Sequence, residues 1–351
     1  VPRRENDPGT EAARPARASV MMDVARLAGV SHQTVSRVLN EHGNVREETR
    51  DRVLAAMREL NYQPNSAART LVTRRSNTLG IVTVDSTLFG PASMMYGIEQ
   101  AARAAGYFVS IASVSSVNRA SVAEAVKRLR EQAVDGIIAI IRQDDGVTAF
   151  AAVSEGIVAV AVGAGEGGGV PMVGVDNVAG ARLATEHLLS LGHRTVWHLA
   201  GPVGQPEAWD RRAGWRSALT VAGAPVPEVL VGDWSARSGY HLGQRLAADP
   251  EVTAVFCGND QMALGLLRAF SEAGRRVPDE VGVVGFDDIP EAPFMIPPLT
   301  TVKQDFAEVG RRSMQLFVEL AAGEHPHGPD RILLTPELIV RTSSTATADN
   351  R

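Results

Sequence analysis

The sequence is poor in the features that announce chemistry. One cysteine, Cys257, stands in 351 residues, so no internal disulfide framework can form and a reducing compartment is expected. That thiol lies in the apolar run "AVFCG", where a buried structural role is expected rather than a reactive one. No apolar run approaches the ~20 residues that a membrane-spanning helix needs. There is no G-x-S-x-G elbow, no G-x-x-x-x-G-K-[ST] loop and no H-E-x-x-H pair, so no motif supports an enzymatic activity and no catalytic residue is assigned. "GAGEGG" at Gly163 to Gly168 matches the spacing of a dinucleotide fingerprint but runs into another strand, "GVPMVGV", instead of opening a helix; it reads as a flexible loop, and no NAD is expected. His187, His193 and His198 straddle a helix, a turn and a strand, and "HPH" at His325 to His327 reads as a solvated turn. Neither a metal nor any other cofactor is expected.

What is present is a division of charge. The first 75 residues hold 13 Lys and Arg against 9 Asp and Glu, a surplus of four positive charges, whereas the rest of the chain carries a surplus of nine negative ones. A basic head on an acidic body suits a nucleic-acid reader attached to a soluble domain, because phosphate contacts supply most non-specific affinity. Residues 1–19, rich in Pro, Ala and Arg and without an apolar stretch, read as a disordered arm and not as an export signal.

Between Met22 and Leu60 the pattern is helical three times. "MDVARLAGV" places Val24, Leu27 and Ala28 on one face, and Gly29 ends the helix. Ser31 is a good N-cap for "HQTVSRVLN", whose Val35, Val38 and Leu39 repeat at core spacing. In "EETRDRVLAAMREL", Val53, Met57 and Leu60 close the small core. The outer face of the second helix carries His32, Gln33, Ser36 and Arg37. This is the face a helix-turn-helix presents to the major groove, where Gln can pair bidentately with adenine and Arg with guanine. The short helix expected after Pro64, through Leu71, is too brief to be stable alone and should fold only conditionally.

From Leu79 onward, apolar strands such as "LGIVTV", "DGIIAII", "IVAVAVG", "TAVFCG" and "VGVVGF" alternate with helical segments. The alternation predicts an α/β body of doubly wound parallel sheets in two lobes, with ligands bound beyond the carboxyl ends of the strands. Those ends carry "GPVGQPEAWDRRAGW", "GDWSARSGY", "GNDQMALG" and "FDDIP". A Trp, an Arg, an Asn and two Asp brought together there can stack on and hydrogen-bond a polyhydroxyl ring.

"DVARLAGVSHQTVSRVLN" and "TRDRVLAAMRELNYQPN", with "GDWSARSGY", "NDQMALG" and "IPPLTTVKQDF", resemble the LacI/GalR family of transcriptional repressors over residues 22 to 341. The resemblance implies an all-α helix-turn-helix head on a two-lobed, periplasmic-binding-protein-like core. The head spans 20–64 and a hinge helix with linker 65–76. The effector-binding core spans 77–341, with one lobe from about 77–176 and 304–335 and the other from about 177–303 and 336–341. A disordered tail is expected over 342–351.

For the head, the resemblance implies base reading by His32, Gln33 and Arg37, and phosphate or groove-edge contacts by Thr34, Ser36 and Asn40. Leu71 would wedge into the minor groove beside Ala68, with Arg69, Arg74 and Arg75 near phosphates. For the core, it implies sugar hydroxyls bonded by Arg211, Asn259 and Asp287, an apolar platform at Trp234, and Gln304 and Phe306 at the cleft floor. Some positions depart from the pattern: His32 replaces a tyrosine, Arg46 stands where many relatives place a capping serine with Asn44 as the alternative cap, Val162 and Gly163 replace an aspartate, and Glu207 and Trp209 stand near a pocket serine's place. The implied function is a cytoplasmic, sugar-responsive repressor that binds a double-stranded, pseudopalindromic operator as a homodimer and is released by its effector, without a membrane partner. The tail lacks the leucine heptads of a tetramerising helix. A purine effector, or a periplasmic sugar-binding protein sharing the two-lobed body, are the alternatives.

Overall fold

Short apolar strands and amphipathic helices alternate along most of the chain in the computed structural model, which describes residues 20–39, 45–62, 75–84, 88–114, 118–141, 144–165, 168–324 and 331–345. The chain divides into two compact units, Val1–Ser76 and Asn77–Arg351.

In the first unit, helices α1 (Met21–Ala28), α2 (His32–Leu39) and α3 (Glu47–Glu59) surround one small core. Gly29 takes a left-handed conformation at φ 65° and turns the chain out of α1, a geometry that glycine adopts without steric cost. The Ser31 hydroxyl then accepts the Thr34 amide at 3.2 Å and caps α2. Val24, Val35 and Val53 are fully buried, with Val38, Ala56 and Tyr62 beside them. Two expectations are corrected here. Leu27 is 46% exposed and Ala25 takes the inward place, because the stripe facing the other helices runs through 24, 25 and 28, one residue and one turn apart. Met57 and Leu60 pack only at the rim of the core, around buried Val53 and Ala56. Arg46 occupies the N-cap position of α3 without a side-chain capping bond; Asn44 lies outside the described residues.

The second unit holds two six-stranded sheets. The first contains β1 (Thr78–Val84), β2 (Phe108–Val114), β3 (Gly136–Ile140), β4 (Val158–Val162), β5 (Met172–Val175) and β11 (Arg331–Leu334). Its order is β11-β5-β4-β3-β1-β2, and every pairing is parallel. The second contains β6 (Trp197–Ala200), β7 (Leu230–Val231), β8 (Ala254–Cys257), β9 (Gly282–Asp287), β10 (Thr300–Lys303) and β12 (Glu337–Ile339), in the order β12-β10-β9-β8-β6-β7. Here β12 alone runs antiparallel, against β10. Helices α4 (Phe89–Ala104), α5 (Arg119–Glu131), α6 (Asp144–Val153) and α11 (Phe306–Ala321) belong with the first sheet. Helices α7 (Asn177–Ser190), α8 (Pro206–Val221), α9 (Ala236–Ala247) and α10 (Asp260–Glu272) belong with the second. Strands buried on both faces explain the near-continuous apolar runs, such as the wholly buried "GIIAI" of β3. The chain passes between the lobes three times, after β5, after β10 and after β11.

The polar residues 342–345 are not part of a loose tail. Ser343 is fully buried, and its hydroxyl accepts the Thr300 amide at 2.8 Å and donates to the Val283 carbonyl at 2.7 Å. The Ser344 hydroxyl meets those of Thr300 and, at 2.8 Å, the His187 ring. Satisfied hydrogen bonds let short hydroxyl side chains fill a buried edge that composition alone reads as solvent-facing. "GAGEGG" enters a loop between β4 and β5 and opens no helix. Cys257 is fully buried in the second lobe's core, where burial pushes the thiol's pKa up.

The three neighbouring histidines have separate partners: His187 meets Ser344, His193 meets Thr253 and His198 donates from Nδ1 to the Phe256 carbonyl at 3.0 Å. His198 is fully buried, stacked on Phe256 and beside Trp215. Burial pushes its pKa down to about 4, although the Phe256 carbonyl pulls the other way. Because the folded state resists the proton, its full contribution is present above about pH 6.5. It is lost as the unfolded chain protonates between about 6.5 and 4, a loss of about 3 kcal/mol. Urea unfolding of the protein across that range should show this slope, and His198→Phe should flatten it; an unchanged slope in the variant would exclude His198 as its source.

Candidate functional site

Two sets of residues carry the chemistry, one in each unit. On α2, His32, Gln33 and Arg37 are exposed together on the face opposite Val35 and Val38, while Thr34 and Ser36 are half-buried at its margin. The Ser31 and Thr34 hydroxyls lie 2.9 Å apart, so Thr34 is engaged in the cap. Asn40, Ala68, Arg69, Leu71 and Arg74 lie outside the described residues. Arg75 is exposed.

In the second unit, a cleft between the lobes is lined on one side by Leu88, Phe89, Gly90, Pro91 and Met94, and on the other by Glu207, Arg211, Trp234, Asn259, Asp287 and Gln304. The space between the two walls, counted out into open solvent, is about 430 Å³. Among the described lining residues, the first wall presents no hydrogen-bonding side chain and the second supplies them all. Five of the six expected effector residues therefore meet in one place. Phe306 does not line the cleft. It stands behind it, its ring edge-on to Phe89 at 5.9 Å, and supports the apolar wall.

Arg211 occupies the buried centre. Its Nε donates to Asn177 Oδ1 at 2.9 Å, Nη1 to the Gly258 carbonyl, and Nη2 lies 3.6 Å from Asp287. The guanidinium lies 3.8 Å from the Phe286 ring centroid and 5.4 Å from that of Trp234. A guanidinium taken out of water needs acceptors for its donors and a counter-charge; Asn177 and the Gly258 carbonyl provide acceptors and Asp287 the charge. Asn177 is itself held by the Val175 carbonyl at 3.1 Å.

Trp234 sits with φ 71°, its indole N–H donating to Gln205 Oε1 at 2.6 Å. A Cβ on Gly201 would fall 2.0 Å from the indole ring, so the platform needs glycine there. Asn259 caps α10 by accepting the Met262 amide at 3.0 Å, and its Nδ2 donates to the Trp234 carbonyl at 3.0 Å.

Asp287, the last residue of β9, has φ 113°, a conformation that costs a non-glycine residue about 1–3 kcal/mol unless its surroundings hold it. Gln304 Nε2 donates to its carboxylate, and the adjoining turn is pinned by Asp260. That fully buried carboxyl accepts the Ile289 amide at 2.9 Å and the Thr301 hydroxyl at 2.6 Å. Burial, and next the charge of Asp287, pushes the Asp260 pKa well above the usual carboxylate range. Asp288 is held in turn by Arg341 at 2.7 Å.

Sequence reasoning did not assign Asn177, Gln205, Gly201 or Asp260, nor the apolar wall. Only Asp260, next to Asn259, carried a signal: an acidic residue at the start of a helix directly after a buried strand. Trp209 is more than half exposed and Val162 is buried in the first lobe's core, so neither lines the cleft.

A helix with a polar outer face in one unit and a cleft between two lobes in the other are the parts of a ligand-responsive regulator of transcription. A model of bacterial regulatory proteins of the lacI family matches residues 20–65, and one of the periplasmic binding protein-like domain matches residues 185–344. The chain is 36% identical to the lactose operon repressor of Escherichia coli (strain K12) over 328 residues, 93% of this chain and 91% of that one. It superposes on a lac repressor dimer bound to operator and the anti-inducer ONPF with a TM-score of 0.85 at 35% identity, covering 93% and 99% of the two chains. For a CelR–cellobiose complex the TM-score is 0.69 at 33% identity, covering 93% and 100%. The chain belongs to the lacI family of bacterial regulatory proteins. Among its described residues, no helix is long and apolar enough to cross a membrane.

Two substitutions test the frame of the cleft. Asp260→Ala, which leaves the Ile289 amide without its acceptor, should lower stability by about 2–4 kcal/mol in urea unfolding. Asp260→Asn can accept from Ile289 and donate to Thr301, and should retain most of it. Equal losses in the two variants would show that the carboxyl's bonds do not hold the turn.

Proposed function

We propose that the protein is a cytoplasmic repressor that binds a pseudopalindromic operator as a homodimer and releases it when a sugar or glycoside enters the cleft. The observation that carries this reading is the convergence of Arg211, Trp234, Asn259, Asp287 and Gln304 on one cleft faced by an apolar wall. Hydroxyls meet the polar side and a ring face meets Trp234 and the apolar side, the division that suits a polyhydroxyl ring. The cellobiose bound in the CelR complex and the operator bound by the lac repressor dimer support the same reading.

On DNA, His32, Gln33 and Arg37 read base edges, and Thr34, Ser36 and Asn40 contact phosphates or the groove edge. Ala68, Arg69 and Leu71 serve the minor groove. A second copy of the chain covers apolar side chains that are otherwise left in water: Phe108 at 76% exposure and Ile111 on the edge strand β2, and Phe294 and Ile296 at 84% and 92% on the other lobe. Effector binding alters the angle between lobes that are crossed by three chain passages. A coupling of about 1–3 kcal/mol between the sites gives a 5–150-fold change in operator affinity.

Gel-shift titration against the DNA upstream of its own gene should show specific binding that a sugar or glycoside weakens; no retarded complex at low salt would end this reading. Arg37→Ala should cost about 1–3 kcal/mol of operator affinity. Arg211→Ala, checked for folding by circular dichroism, should abolish the sugar response.

A further inference from the structure

The charge balance of the cleft narrows the chemistry of its occupant beyond the sugar-responsive reading, on which this inference rests. Arg211 is the one cation among the described lining residues, and its guanidinium is already committed to Asn177, the Gly258 carbonyl and Asp287, with Phe286 and Trp234 on its faces. Against it stand two carboxyl side chains, Glu207 and Asp287, only 5% and 7% exposed. Glu207 lies in the first turn of α8, four residues before Arg211 and on the same side of the helix.

An acidic residue in a first helical turn has an ordinary explanation, the favourable field of the helix N-terminus. That field would be satisfied as well by a carboxylate in water. It does not explain a carboxyl buried in the cleft wall, where desolvation opposes it.

We infer that Glu207 is a specificity-determining residue that selects an unphosphorylated sugar, whose hydroxyl or amino groups donate to it, and rejects the phosphorylated counterpart. A carboxylate has only acceptors to offer, so the ligand must bring the donors. Bonds from hydroxyl or ammonium groups to a charged acceptor are about twice as strong as neutral ones. A phosphate ester brings about two negative charges and more acceptors. It would meet two acidic groups and a guanidinium whose charge already faces the Asp287 carboxylate.

The test is calorimetric titration of the full-length protein with glucose, galactose, mannose, cellobiose, glucosamine and galactosamine, and with the 6-phosphates of the three hexoses and of cellobiose. At least one unphosphorylated sugar should bind, and a 6-phosphate should bind at least ~30-fold more weakly than its parent. In Glu207→Gln, which keeps the size and removes the charge, that ratio should shrink by about tenfold. If the glutamine variant does not fold, Glu207→Ser takes its place. A 6-phosphate that binds as tightly as its parent, or a ratio unchanged by the substitution, would overturn the inference and leave the sugar reading standing. Binding by none of the panel would overturn both.

Discussion

The buried guanidinium of Arg211 is the constraint on which the effector lobe is organised. Its three nitrogens reach the start of α7 through Asn177, the end of β8 through the Gly258 carbonyl, and the end of β9 through Asp287. A cation in that position is tolerable only if every one of those elements is in register, so the interaction couples the ends of separate strands to one point. Those ends are also where an open parallel sheet binds its ligands. Fold and site share one electrostatic requirement.

The second requirement is rigidity where the backbone is least comfortable. Trp234, Asp287 and Asp288 all have positive φ, and each is tied by a bond that a flexible loop would not keep: the indole to Gln205, the Asp287 carboxylate to Gln304, and Asp288 to Arg341. Asp260 closes the arrangement from below, joining the 289 amide to β10. Strain held in this way presents the ligand groups before the ligand arrives, and less ordering remains to oppose binding. Gln304 also lies at one of the three passages between lobes, so the side chain that holds the Asp287 carboxylate sits on a segment that crosses from one lobe to the other. That placement gives ligand binding a physical route to the rest of the molecule, because a ligand shifts an equilibrium only through contacts that differ between its states.

Much of this was legible in the chain. The three helices of the head followed from caps and spacing: Ser31 caps α2 and Gly29 ends α1 as their chemistry predicts. The apolar runs quoted above became β1, β3, β4, β8 and β9, and Arg211, Trp234, Asn259 and Asp287, from the segments that follow or end strands, met in the cleft. What was not legible involved partners distant in sequence. Leu27 points outward because the position of the other two helices, and not hydrophobicity, selects the buried stripe. Ser343 and Ser344 are buried because Thr300, Val283 and His187 supply hydrogen bonds from far upstream. Phe306 backs Phe89 instead of lining the cleft, a distinction of a few ångströms that no periodicity encodes.

The sequence by itself determined the three helices of the head, the apolar strands such as β1, β3, β4, β8 and β9, and which face of α2 is polar, since each depends on neighbours within a turn or a strand; β10, β11 and β12, short and less apolar, did not stand out. Only the tertiary structure decided that Arg211 is spoken for by Asn177 and Gly258, that Gly201 makes room for the indole, that Asp260 holds the Asp287 turn, and that Glu207 is buried beside the ligand groups. Those facts depend on distances between segments tens of residues apart. A family resemblance could name Arg211 and Asp287 as ligand groups; the charge surrounding them emerges only when the folded strands are brought together.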